Sequence, residues 1–172
     1  MYYGIVIGPQ HSCTRLFVSL LDRHPDTGHI GHIGSNTPHF YDLINEYKKI
    51  IIVTRDTNCI NKSNLYTNKI NINYDIGTKA YNIINKELDK IYKNNINRIN
   101  DIIFVSFESL YQFKKNYIKY ILKCLDLNIN KYDYNLQGIY KPTDLITKEN
   151  PKGERWFSVN LNIINSNKKY IN

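Results

Sequence analysis

Apolar residues come in two rhythms along this chain, and their alternation predicts an α/β fold. Short, nearly continuous apolar runs occur at Tyr3 to Ile7, at Lys49 to Thr54 around Ile50-Ile51-Ile52-Val53, and at Asp101 to Ser106 around Ile102-Ile103-Phe104-Val105. Runs of this length, rich in β-branched residues, suit parallel strands buried on both faces. Between them the apolar positions fall at helical spacing: Leu16, Leu20 and Leu21 after the first run, then Tyr81, Ile84, Leu88 and Ile91 before the third, and Leu110, Phe113, Tyr117, Ile121 and Leu125 after it. Strands that alternate with amphipathic helices predict βαβ crossovers and a central parallel sheet with helices on both faces. Such sheets bind ligands at the carboxyl ends of their strands. The Asn- and Lys-rich stretch from Asn58 to Asn73 predicts a short helix and an exposed loop, and the polar residues from about 160 to 172 predict a flexible tail.

With 172 residues, 42% of them hydrophobic, the chain supports one buried core, so residues 1–172 read as one domain. Its net charge of +8 favours anionic partners. The signal is diffuse, because Lys is scattered among Asn, Ile and Tyr as an AT-rich coding sequence would write permissive surface positions. Aromatic and basic residues form no nucleic-acid-binding module, so nucleic acid is not the expected partner. Cys13, Cys59 and Cys124 are far apart and form no C-x-x-C pair, which argues for a reducing, cytoplasmic setting and against a thiolate metal site. No stretch approaches the length of a membrane span, so a soluble protein is expected.

The candidate chemistry begins directly after the first strand, at Gly8-Pro9-Gln10-His11-Ser12-Cys13-Thr14-Arg15. A strand, a tight turn and a helix start gather backbone N–H groups at the positive end of a helix dipole, where a phosphate binds well. The spacing imitates G-x-x-x-x-G-K-[ST] but lacks the second Gly and the Lys. With Leu16 and the continuation Leu20-Leu21-Asp22-Arg23-His24-Pro25, it resembles the 5′-phosphosulfate loop of the sulfotransferase family. That family pattern is Pro, one residue or none, a cation, Ser-Gly-Thr-Thr, and a helix ending in Leu-Leu-x-x-His-Pro. His11 stands in place of the cation and Cys13 in place of the Gly. Arg55 and Ser63, in Arg55-Asp56-Thr57-Asn58-Cys59-Ile60-Asn61-Lys62-Ser63, are spaced like the family's 3′-phosphate motif. Phe104-Val105-Ser106-Phe107-Glu108-Ser109-Leu110 is similar to its third strand and turn, with Glu108 expected to cap the helix or bind its own loop. Pro151-Lys152-Gly153-Glu154-Arg155-Trp156 resembles the C-terminal loop that closes over the nucleotide.

The resemblance, from about Gly4 to Leu127, implies a three-layer, P-loop NTPase-like fold of the sulfotransferase type. It implies transfer of a sulfuryl group from 3′-phosphoadenosine 5′-phosphosulfate to a hydroxyl or amine acceptor, with no metal. The donor would be held by Gln10, His11, Ser12, Cys13, Thr14, Arg15, Arg55, Ser63, Lys152 and Arg155. Such a transfer needs an aligned donor, cations or N–H groups on the leaving phosphate, and a base. All 5 His precede Tyr41, and Thr27 to Tyr41 holds no Asp or Glu, so His29 and His32 are the candidate bases and His11 a candidate cation. A metal shared by His29 and His32 fits no zinc spacing and has no Cys nearby. If Cys13 keeps the family's geometry it takes positive φ, and its thiol at a helix N-terminus is expected to be activated. The alternatives are a catalytically degenerate nucleotide-binding module and a P-loop nucleotide kinase or NTPase, for which Asp56 is the candidate Mg²⁺ ligand.

Overall fold

The computed structural model describes residues 1–68 and 75–135. Four strands, β1 (Tyr2–Pro9), β2 (Ile30–Ser35), β3 (Tyr47–Thr54) and β4 (Ile102–Ser106), form one sheet in the order β2-β1-β3-β4. Every pairing is parallel, with Ile5 opposite Gly31 on one side and Ile50 on the other, and Ile52 opposite Phe104. Four helices, α1 (Thr14–Leu21), α2 (Thr57–Asn68), α3 (Ile76–Asn94) and α4 (Phe107–Cys124), connect or follow the strands. α4 is kinked at Lys114. Among the described residues no helix is long and apolar enough to cross a membrane.

The pleat sorts the apolar runs into two cores, because successive side chains of a strand point to opposite faces. Val6, Ile51, Val53 and Val105 pack with Phe17, Leu20 and Leu21 of α1 and with Leu110, Ile118, Ile121 and Leu122 of α4. Ile5, Ile7, Ile50 and Ile52 pack on the other face with Ile84 and Ile91 of α3, Phe40 and Ile44. Both faces of the sheet are therefore covered, which is why these strands carry no polar alternation.

The expected strands are present within a residue or two of their predicted bounds, and the helix expected after Asn58 is α2. The exposed loop expected beyond it falls on residues 69–74, and the tail from about 160 to 172 also lies outside the described residues. The structure adds one strand. Residues Ile30–Ser35, where the apolar pattern predicts no strand, form β2 at the sheet edge. Its two glycines hid it, since Gly is depleted in strands except where another group comes close. Both closely approached positions are visible here. A Cβ on Gly31 would lie 2.6 Å from the Tyr47 hydroxyl, and one on Gly34 would lie 2.6 Å from Thr14 Oγ1.

Candidate functional site

The loop between β1 and α1 sits at the carboxyl end of the sheet and is held from several sides. The Gln10 N–H donates to the Ser35 carbonyl at 3.0 Å, joining the loop to the end of β2. Ser12 folds back on Pro9, whose carbonyl accepts from the Ser12 N–H at 3.1 Å and from its hydroxyl at 2.7 Å. Two non-glycine residues turn left-handed here, His11 at φ 68° and Cys13 at φ 69°. Such conformations cost on the order of 1–3 kcal/mol each and persist only where the surroundings impose them. Gly8 leaves the necessary room, since a Cβ there would lie 2.5 Å from Ser12 Oγ and 3.1 Å from the Val53 carbonyl.

α1 starts at Thr14 with Cys13 as its N-cap, no side-chain cap bond and no acidic residue in its first turn. The first N–H groups of a helix have no intrahelical partner, and the dipole adds partial positive charge at that end. Arg15, exposed in the first turn, adds a full one.

Arg55 lies beneath this loop. It follows β3, is 4% exposed, and donates from Nη1 to the His11 carbonyl at 2.6 Å. The same nitrogen approaches Cys13 Sγ at 3.7 Å, and the guanidinium stands 4.7 Å from the centre of the Phe107 ring. The Tyr81 hydroxyl locks the Arg55 backbone, accepting from its N–H at 2.7 Å and donating to its carbonyl at 2.9 Å. Arg55 and Ser63, expected together at a phosphate position, are both buried, and Nη1 of Arg55 is turned to the loop backbone. Burial in a stacked slot suits a delocalised, weakly hydrated guanidinium.

Cys13 has the expected positive φ but not the expected activation. Burial pushes its thiol up to about 11, with Glu108 adding to the rise and Arg55 opposing it. Desolvation of the thiolate outweighs the helix dipole. Glu108 is itself buried and links its own turn to the end of β3: Oε2 accepts from the Ser106 hydroxyl at 3.1 Å and Oε1 from the Asp56 N–H at 2.9 Å. Asp56 caps the first turn of α2 by accepting from the Cys59 N–H at 3.0 Å.

The two candidate bases separate. His32 of β2 reaches the loop, its Nε2 2.8 Å from Thr14 Oγ1. Burial lowers its pKa below the ordinary 6.5, and the Arg15 charge lowers it further. His29 lies at the opposite, amino end of the sheet, packed edge-on against the Tyr2 ring at 5.3 Å. From Tyr2 to Pro9 the strand runs roughly 20 Å, so His29 is removed from the loop as a base. His24 is buried below α1, where Nδ1 accepts from the Asp26 N–H at 3.1 Å and Nε2 therefore donates to the Asn128 carbonyl at 2.9 Å. Lys152 and Arg155 lie outside the described residues. Among the described residues no three His, Cys, Asp or Glu side chains converge as a metal cluster would require.

The structure thus brings Gln10, His11, Ser12, Cys13, Thr14, Arg15, Arg55 and His32 together. It also recruits Gly34, Tyr81 and Phe107, which the sequence pattern alone does not assign to the site. Gly34 carried a usable signal, a glycine two residues after a His at strand spacing. Tyr81 and Phe107 look in sequence like ordinary core positions.

Comparison with protein-family models, with curated proteins and with solved structures found no match for this chain.

Proposed function

We propose that the chain binds the phosphate-rich end of a nucleotide at the β1–α1 loop and belongs functionally with the sulfotransferases. In this reading it transfers a sulfuryl group from 3′-phosphoadenosine 5′-phosphosulfate to a hydroxyl or amine. The observation that carries the reading is the turn at His11 and Cys13, both left-handed and braced by Arg55, which ends on an uncapped helix start with no acidic neighbour. A turn of this kind presents N–H groups to an oxyanion, and strain of this size is commonly kept where it serves binding. The motif order along the chain supplies the sulfotransferase part of the reading. The free thiols of Cys13, Cys59 and Cys124 accord with a reducing, cytoplasmic setting.

A kinase or NTPase reading is weaker, because the loop has no Lys and Asp56, the candidate Mg²⁺ ligand, caps α2. A nucleotide-holding module without turnover is favoured by one observation, that the Arg55 fork and the His32 ring are both already engaged with loop atoms.

Thermal shift tests the reading, since a ligand that binds only the folded chain raises its stability by mass action. Adenosine 3′,5′-bisphosphate is expected to raise Tm more than ATP with Mg²⁺. Equal shifts, or a larger one with ATP, would remove the sulfotransferase assignment.

A further inference from the structure

The contact between β2 and α1 at the loop is built around a hydroxyl and an imidazole. Thr14 is the first residue of α1, and its Oγ1 lies 2.8 Å from His32 Nε2. Gly34, two residues along β2 on the same face, makes the space: a Cβ there would fall 2.6 Å from Thr14 Oγ1 and 2.8 Å from His32 Nε2. Any side chain at position 34 would collide with both partners.

A threonine hydroxyl has one proton to donate. In the Nδ1–H tautomer of the neutral ring that proton goes to Nε2, and Thr14 keeps only lone pairs for other donors. Once the ring takes up a second proton, on Nε2, it donates to Oγ1 and the hydroxyl proton is released for another acceptor. Resting on the nucleotide-binding reading above, we propose that His32 is a positioning residue whose protonation turns the Thr14 hydroxyl into a donor toward the bound oxyanion, so that anion capture takes up one proton.

The surroundings of His32 suit this coupling. The charge that faces it is Arg15 from α1, which together with burial keeps the ring neutral in the free protein near pH 7. β1 places Val6 opposite His32, and no titratable side chain lies on β1 from Gly4 to Pro9. Tyr47 of β3 packs toward Gly31, on the other face of the sheet. An oxyanion seated at the α1 start would offset Arg15 and raise the affinity of His32 for its proton, as reciprocal linkage requires. Binding then tightens as pH falls, by up to about tenfold per pH unit for a single coupled proton.

The test is calorimetric titration of the full chain from pH 8 to pH 5.5 with inorganic sulfate, which does not titrate in that range, and in parallel with adenosine 3′,5′-bisphosphate. Wild type is expected to bind sulfate severalfold to tenfold more tightly at pH 5.5 than at pH 7.5, with heats that depend on buffer ionisation and report net proton uptake. His32→Gln should bind sulfate with a flat pH profile and no proton uptake. Thr14→Ser should retain the wild-type slope, whereas Thr14→Val should weaken sulfate binding most at low pH. In the free protein, the His32 ring should titrate below 6.5 by NMR. A wild-type profile as flat as that of His32→Gln would overturn the coupling while leaving the nucleotide reading intact. Absence of binding by either anion at every pH would overturn both.

Discussion

The Arg55 guanidinium donates to the carbonyl of His11 at 2.6 Å, so a buried cation from the end of β3 holds a left-handed residue in the β1–α1 loop. The guanidinium carbon also lies 4.7 Å from the centre of the Phe107 ring. Arg55→Ala is expected to lower folding stability by about 2–3 kcal/mol, the scale of a lost charge-assisted hydrogen bond with some lost stacking. Arg55→Lys should recover only part of this, because an ammonium lacks the planar fork. Urea denaturation gives the answer. An unchanged midpoint combined with lost nucleotide binding would instead put Arg55 on the ligand.

Cys13 should be the slowest of the three thiols to alkylate. It is buried and its thiol is pushed up to about 11, whereas Cys59 and Cys124 are half-buried. Timed alkylation at pH 8 followed by mass spectrometry ranks them, since the thiolate is the reacting form. A fast Cys13 that nucleotide protects would mean that the loop opens in solution.

Two glycines separate space from backbone strain. At Gly8 a methyl group would meet the Val53 carbonyl at 3.1 Å as well as Ser12 and Thr14 side-chain atoms, and the carbonyl belongs to a central strand that cannot move aside. Gly8→Ala should therefore cost about 1–3 kcal/mol. Gly28 has φ 63° with nothing within 4 Å of the added carbon, so Gly28→Ala meets strain alone, about 1 kcal/mol. Thermal or urea melts that reversed this order would mean the loop repacks without difficulty.

Acid should weaken the fold through Glu87. Burial alone would raise its pKa, but the Lys90 ammonium at 2.7 Å and the N–H groups of Tyr41 and Phe40 at 2.8 and 2.9 Å outweigh it and hold the carboxyl at about 2. The folded-state pKa is thus depressed from the ordinary 4.5. The contribution, about 2 kcal/mol once solvent screening of the Lys90 contact is allowed for, is fully present above pH 4.5 and is lost as pH falls toward 2. Glu87→Gln should reduce stability at pH 7 and flatten this acid limb. Parallel acid limbs for the two proteins would remove Glu87 from the account.

Much of the scaffold was legible in the chain, because burial on both faces leaves a mark in the local order of residues. Ile5 and Ile7 serve one core and Val6 the other, and the unbroken apolar run that results marks a strand covered on both sides. β2 was not legible. Its Gly31 and Gly34 answer to Tyr47 and to the Thr14–His32 pair, and those partners come from other elements of the fold.

The order of residues by itself determined the alternation of strands and helices, the parallel sheet they imply, and a polar turn at the start of α1, because each follows from periodicity and from nearest neighbours. Only the tertiary structure decided what the polar residues do. It buried Arg55 under the loop, pushed up the Cys13 thiol, joined His32 to Thr14 and sent His29 to the far end of the sheet. Those outcomes depend on desolvation and on distances of a few ångströms between segments remote in sequence, and such quantities exist only once the chain has packed.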